Sequence, residues 1–205
     1  MKNIIFDWSG VVKDAVTSQL WIVNRIFGKY GVEAISLEEF QENWEQPYTL
    51  FYKKYLPLDF DEEGQEKDYK EAIFHPDCPK ALAYPGMVDL IKELKSSGFF
   101  LAVVSSDLKE TLYSEMKEYG LENIFDHISV EVHDKLETVQ QIIEKNNLDT
   151  EQTLFVGDST HEIEVAHEVG IKSVAVTWGF VSRERLEAKK PEYLVGSVDD
   201  LEKII

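Results

Sequence analysis

The sequence predicts an α/β protein: a three-layer core, with a parallel sheet between two layers of helices, and an inserted helical cap domain. Three observations predict it. The chain opens on a short apolar run, Ile4-Ile5-Phe6, which ends in Asp7 and the glycine turn Trp8-Ser9-Gly10. From Pro85 onward, apolar strand-like runs alternate with amphipathic helices, the pattern of successive βαβ units. Between these two parts, the stretch 14–82 shows helical spacing and no convincing strand.

Taken in order, residues 3–7 read as a buried strand that delivers a carboxylate to its C-terminal edge. Over 15–30, Val16, Leu20, Val23, Phe27 and Tyr30 recur at spacings of three and four, one face of a helix that Gly31 ends. Ser36 followed by Glu39 has the spacing of a capping box and opens a second helix. Glu42 to Lys54 is rich in aromatic residues, and helical character continues weakly, past a break at Pro57, through 62–74. Pro76, Pro79 and Pro85 punctuate the chain between that helix and the next. The spacing then predicts a helix over 87–96, a strand over 99–104 after Gly98, and a helix over 107–118. A strand over 127–132, a helix over 135–146 and a strand over 153–156 come next. A helix over 160–168, strands over 172–176 and 193–195, and a helix starting near Asp199 complete the alternation. Residues 1–13 and 83–205 thus form the core domain and 14–82 the cap domain, with an active site expected between them.

Charge narrows the partners. Lys and Arg total 21 against 39 Asp and Glu, a formal net charge of -18, which disfavours nucleic acid and anionic membranes. A small phosphorylated molecule remains compatible, because a local cation and a metal override the global sign. Cys78 is the single cysteine, so no internal disulfide forms. There is no basic-then-apolar leader and no apolar run of membrane-spanning length. A cytoplasmic monomer or homodimer is the expectation.

Polar residues follow the apolar runs at three strand ends: Asp7, Ser105 with Ser106 beside it, and Asp158. Lys135 falls just past a fourth, and Glu162 follows Asp158 by four. Singly, each has a plainer reading as a turn residue, a solvated lysine or a helix-start acid. In one parallel sheet all five project from the same edge. Two converging aspartates repel unless a cation sits between them, and Mg²⁺, oxygen-seeking and octahedral, suits such a pair together with a phosphate. Lys135 and Ser105 are placed to hold the remaining phosphoryl oxygens, which primes phosphorus for attack by a carboxylate.

At this point the sequence resembles the haloacid dehalogenase-like hydrolases, a superfamily with a Rossmann-like core, over nearly its whole length. Asp7-Trp8-Ser9-Gly10-Val11 resembles the family's nucleophile motif, Ser105 its second-motif hydroxyl, and Lys135 its third-motif lysine. Gly157-Asp158-Ser159-Thr160-His161-Glu162 is similar to its acidic fourth motif, and 14–82 to its helical cap. Trp178-Gly179-Phe180 and Pro191-Glu192-Tyr193-Leu194-Val195 resemble phosphoglycolate-phosphatase-like members. The resemblance implies a nucleophile at Asp7 and Mg²⁺ held by Asp7, the Ser9 backbone carbonyl and Asp158, with Glu162 and Ser159 behind them. Gly10 and Ser106, with Trp44, Tyr48, Tyr52, Lys53 and Lys54 from the cap, would meet the substrate.

One position departs from the pattern. The family's phosphatases carry a second aspartate two positions after the nucleophile, as general acid and then base. Here Ser9 stands there. Loss of a positioned proton-transfer group costs roughly 10²–10⁴-fold in rate, so either turnover is slow, or the leaving group needs no acid, or another group substitutes; Ser9→Asp is expected to raise turnover. His161 and Glu162 are near in sequence, but spacing assigns neither this role. The motif also resembles that of phosphonoacetaldehyde hydrolases, which cleave a carbon–phosphorus bond through a lysine Schiff base. In that reading Lys53 or Lys54 supplies the amine, although Lys135 stands where those enzymes tend to use arginine. A weakly active or non-catalytic phospholigand-binding relative is the third reading. Haloacid dehalogenases proper fit least, because their first motif carries a tyrosine.

Overall fold

In the computed structural model, which describes residues 1–56 and 62–205 (for Glu62 and Glu63 the backbone alone), a six-stranded parallel sheet forms the middle layer. Its strands are β1 (Asn3–Phe6), β4 (Phe100–Val104), β5 (His127–Ser129), β6 (Thr153–Gly157), β7 (Lys172–Val176) and β8 (Tyr193–Val195). Their order is β5-β4-β1-β6-β7-β8, so the N-terminal strand is central. Phe6 pairs with Val103 on one side and Val156 on the other. That register sets the next residues of all three strands, the predicted site residues among them, side by side. Because strand order reverses about β1, the crevice beyond its C-terminal edge is where an open α/β sheet binds ligands.

Alternation along β1 sorts the core. Ile4 and Phe6 face one side, with Leu101, Val103, Leu154 and Val156, and meet α5 (Met87–Ser96), α6 (Lys109–Tyr119) and α10 (Val198–Ile204). Ile5, Ala102, Val104 and Phe155 face the other, against α7 (Leu136–Asn146) and α8 (Thr160–Val169). The inserted segment contributes α1 (Val16–Lys29), α2 (Leu37–Asn43), α3 (Tyr48–Tyr52) and α4 (Glu62–Ile73). Phe27, Phe40, Trp44, Phe51 and Tyr52 form its aromatic centre, and Phe180 and Val181 of the core complete it. The cap is therefore packed onto the core rather than merely tethered to it. Half of the expected capping box forms: the Ser36 hydroxyl accepts from Glu39 N–H at 3.1 Å, while the Glu39 carboxylate accepts from the Tyr55 hydroxyl.

Several boundaries differ from expectation. A two-residue antiparallel ladder, β2 (Lys13–Asp14) with β3 (Leu82–Ala83), closes the base of the insert where no strand was expected. A ladder that short has no readable alternation. The strand expected over 127–132 stops at Ser129, because the chain turns away and Glu131 takes a positive φ of 57°. The helix expected from 107 starts at Lys109, leaving Ser105-Ser106-Asp107 as a turn. A short helix, α9 (Arg183–Ala188), and a 3-10 turn at Thr150–Gln152 add to the predicted elements. The expected break at Pro57 lies outside the described residues. Among the described residues, no helix is long and apolar enough to cross a membrane.

Candidate active site

Asp7, Lys135, Asp158 and Glu162 converge. Lys135, at the N-terminal cap of α7, is fully buried and lies 2.9 Å from Asp7 Oδ1 and 2.7 Å from Glu162 Oε1. Burial works to lower the Lys135 pKa, but the Asp7 and Glu162 charges outweigh it and hold the group above the ordinary lysine value. Asp7 responds the other way. Burial, opposed by Lys135 and reinforced by Glu162, pushes its carboxyl up to about 7. Asp158 is raised as well, by burial and then by the Asp7 and Glu162 charges. Glu162 is lowered: burial would raise it, but Lys135 and then His161 prevail.

Glu162 is also structural. Its Oε2 accepts from Ser159 N–H at 2.9 Å and from the Ser159 hydroxyl, closing a capping box at the start of α8. Asp7 Oδ1 accepts a second bond, from Trp8 N–H at 2.7 Å, while Oδ2 accepts none from the described residues.

Asp158 is enclosed by glycines. A Cβ at Gly10 would come within 2.0 Å of Asp158 Oδ2, and one at Gly179 within 2.2 Å, so neither position admits a side chain without displacing this carboxylate. Asp158 Oδ2 accepts from Phe180 N–H at 2.7 Å; Oδ1 is buried with no hydrogen-bond partner. Asp7, Asp158 and Glu162 each offer an oxygen, all within 4.8 Å of one another. An orphaned carboxylate oxygen beside two further carboxylates is a donor set that a hard divalent cation completes, so Mg²⁺ fits the residues present.

A cavity of about 160 Å³ lies over this edge, walled by both core and cap. Asp7, Ser9 and Ser106 line it from below, and Trp44, Tyr48 and Tyr52 from above. Ser105 does not line it: it is buried, and its Oγ accepts from Asp107 N–H at 3.1 Å. That bond shapes the turn that presents Ser106. Lys53 and Lys54 are exposed and do not line the cavity. They follow the end of α3, and Lys54 Nζ bonds Asn43 O at 3.0 Å and Glu45 Oε1 at 2.8 Å. The adjacency to cavity aromatics that singled them out in sequence is undone by the helix ending at Tyr52. His161 does not line the cavity either; its Nε2 accepts from Lys135 N–H at 3.2 Å.

Sequence reasoning missed a second buried cluster. The carbonyl of Trp8 accepts from the N–H groups of Val11, Val12 and Lys13, which folds the loop back and brings Lys13 beside Ser9. Lys13 Nζ lies 2.7 Å from Asp107 Oδ2 and 3.1 Å from Glu115 Oε1. Trp8 Nε1 donates to Glu115 at 2.7 Å. The Ser9 hydroxyl reaches both Asp107 oxygens, at 2.8 and 2.7 Å, and Asp107 also lines the cavity. Burial disfavours the Lys13 charge, but Asp107 and Glu115 prevail and raise its pKa. The one available signal was a lysine in the turn after the first motif, which by itself reads as solvated.

This is a three-layer α/β architecture with a buried carboxylate site at the strand ends, under a helical cap. The match to known proteins agrees, since the profile of haloacid dehalogenase-like hydrolases covers residues 4–176. The chain belongs to that family. It is 26% identical to a phosphoglycolate phosphatase of Synechococcus elongatus, over 98% of this chain and 95% of that protein. It is 32% identical to the pyrophosphatase PpaX of Bacillus mycoides, over 58% of this chain and 57% of that one. A predicted phosphatase from Clostridium acetobutylicum shares the fold, with a TM-score of 0.80 at 23% identity, covering 99% of this chain and 97% of that one.

Proposed function

We propose that this hydrolase is an Mg²⁺-dependent phosphatase that moves the phosphoryl group of a small phosphorylated molecule to Asp7 and then to water. The division into a core of 1–13 plus 83–205 and a cap of 14–82 is part of this reading. The observation that carries it is the buried Asp7–Lys135–Glu162 arrangement, with the orphaned Asp158 oxygen beside it and Asp7 lining the cavity under the cap. A non-catalytic binder has no need of a nucleophile, its lysine and an under-satisfied carboxylate at one sheet edge.

Asp7 and Asp158, with the Ser9 carbonyl, would hold the metal, which when bound supplies charge neutralisation for the phosphoryl oxygens and for the two aspartates. Lys135 neutralises and orients Asp7, whose Oδ2 is free of hydrogen bonds from the described residues and available to attack. Ser105 does not line the cavity; its Oγ accepts the Asp107 N–H and shapes the turn that presents Ser106 to a phosphoryl oxygen. Ser106 lines the same space, whereas Gly10 does not and packs against Asp158 instead. Trp44, Tyr48 and Tyr52 present faces to the leaving group, and among the described residues no lysine or arginine lines the cavity. An uncharged leaving group suits such walls better than one carrying a carboxylate. Among the described residues no amine lines the cavity to form the Schiff base of the carbon–phosphorus reading.

The test is Mg²⁺-dependent phosphate release across a panel of phosphomonoesters, pyrophosphate and phosphonates, with wild type beside Asp7→Asn. Release by the wild type alone, greatest for an uncharged leaving group, is expected. Equal release by Asp7→Asn would refute the nucleophile.

A further inference from the structure

We infer that Asp107 is the proton-transfer carboxylate of this site, supplied from the turn between β4 and α6 rather than from position 9. The inference rests on the phosphatase reading. Position is the first argument. Ser9 Oγ occupies the place that the carboxyl carbon of an aspartate would take at the same position. Both Asp107 oxygens lie within a hydrogen bond of it, at 2.8 and 2.7 Å. Asp107 thus brings a carboxylate to about one hydrogen-bond length from where the family's own would be, and it lines the same cavity as Asp7.

The carboxylate is also held. Lys13 Nζ lies 2.7 Å from Oδ2 and the Ser9 hydroxyl donates to it, while its backbone N–H donates to Ser105 Oγ at 3.1 Å and its carbonyl accepts from Glu131 N–H at 3.1 Å. A fixed general base needs this kind of support. The competing account makes Asp107 nothing more than the counter-ion of Lys13. Yet Lys13 already has a carboxylate partner in Glu115, which does not line the cavity. The second carboxylate is the one turned to the cavity, and the one the serine addresses.

The chemistry balances in two half-reactions. Asp7 attacks phosphorus, an Asp7 Oδ–phosphorus bond forms, and the bond from phosphorus to the leaving oxygen breaks. That oxygen leaves with the electron pair and takes its proton from solvent. A water then attacks phosphorus; its oxygen–phosphorus bond forms, the bond to Asp7 breaks, and Asp7 keeps the electron pair as carboxylate. The water's proton passes to the Asp107 carboxylate and from there to solvent, which returns the carboxylate for the next cycle. Ser9 and Lys13 are positioning residues in this scheme.

A carboxylate already at Asp107 reverses the expectation drawn from sequence. Ser9→Asp in the wild-type background puts a second carboxylate against Asp107, so it should not raise turnover. In an Asp107→Asn background it should.

The experiment measures phosphate release and the mass of the intact, acid-quenched protein, with Mg²⁺ and p-nitrophenyl phosphate, whose leaving group needs no acid. Asp107→Asn keeps heteroatoms for Ser9 to bond. It is expected to lose roughly 10²–10⁴-fold in phosphate release and to accumulate one phosphoryl group per chain. The double variant Ser9→Asp with Asp107→Asn should recover much of the rate and discharge that group. Wild-type turnover in Asp107→Asn, or a loss with neither phosphoryl accumulation nor recovery in the double variant, would overturn the assignment of Asp107 alone. No release and no phosphoryl group on the wild-type chain would overturn the phosphatase reading with it.

Discussion

Two lysines are buried at this site, and each lies between two carboxylates at similar distances. Lys135 sits 2.9 Å from Asp7 and 2.7 Å from Glu162; Lys13 sits 2.7 Å from Asp107 and 3.1 Å from Glu115. The surroundings separate them. Around Lys13, Trp8 and Ser9 donate further hydrogen bonds, and both carboxylates are engaged. Around Lys135 a third acid, Asp158, enters with one oxygen unpartnered, and Asp7 is pushed up to about 7. One cluster has run out of donors and the other has not. The difference separates a saturated ion-pair cluster from one with a surplus acceptor, and only the second has an oxygen that a cation would complete.

Breaking each cluster at its lysine tests this. Removing one partner of a buried ion pair leaves uncompensated charge and costs about 3–5 kcal/mol. Lys135→Met should lie at the upper end of that range in urea unfolding without metal, since both partner carboxylates are buried. It should also abolish phosphate release. Adding Glu162→Gln should restore part of the stability and none of the activity. Lys13→Met should fall toward about 3 kcal/mol, the lower end for such a break, because the Glu115 side chain is 19% exposed and can take up water. It should slow turnover and leave the Mg²⁺-induced rise in melting temperature unchanged. A loss of that rise would merge the two clusters into one.

The contrast also marks what sequence could show. Asp7 and Asp158 were legible because each closes an apolar run, so the register of a parallel sheet fixes them as neighbours. Lys135 was legible even though the strand before it ends at Ser129, because the helix it starts still brings it to the edge. Lys13, Asp107 and Glu115 carry no such signal. They stand at the start of the two-residue strand β2, in a turn before a helix and within that helix, and only tertiary folding joins them. The Ser105–Ser106 pair could not be ordered from sequence either, since one residue of register decides which faces the cavity. The cap's aromatic residues were legible as a cluster, but that Lys53 and Lys54 point elsewhere depended on where a five-residue helix stops.

Acid pH should sharpen the comparison from the other side. A carboxyl whose pKa is higher in the folded than in the unfolded chain binds more protons when folded. Its unfavourable contribution is absent below the unfolded value, grows as pH rises, and levels off above the folded value. For Asp7 that window runs from 3.8 to about 7, and Asp158 acts in the same direction. The metal-free protein should therefore lose stability across it, measured by melting in chelator, and Asp7→Asn should flatten the slope. Mg²⁺ should stabilise most at the upper end of the window. An identical slope in Asp7→Asn would place the strain elsewhere.

The smallest effect should come from an exposed pair at nearly the same distance. Lys54 Nζ lies 2.8 Å from Glu45 Oε1, closer than Lys135 to Asp7, yet the two side chains are 37% and 35% exposed. Water replaces what either partner loses, and ordering two long side chains offsets much of the attraction. Lys54→Ala should therefore cost less than about 1 kcal/mol in urea unfolding. Contact distance is matched across the series, so burial is what varies. A cost for Lys54→Ala approaching that of Lys13→Met would mean that distance, and not the absence of water, sets the scale.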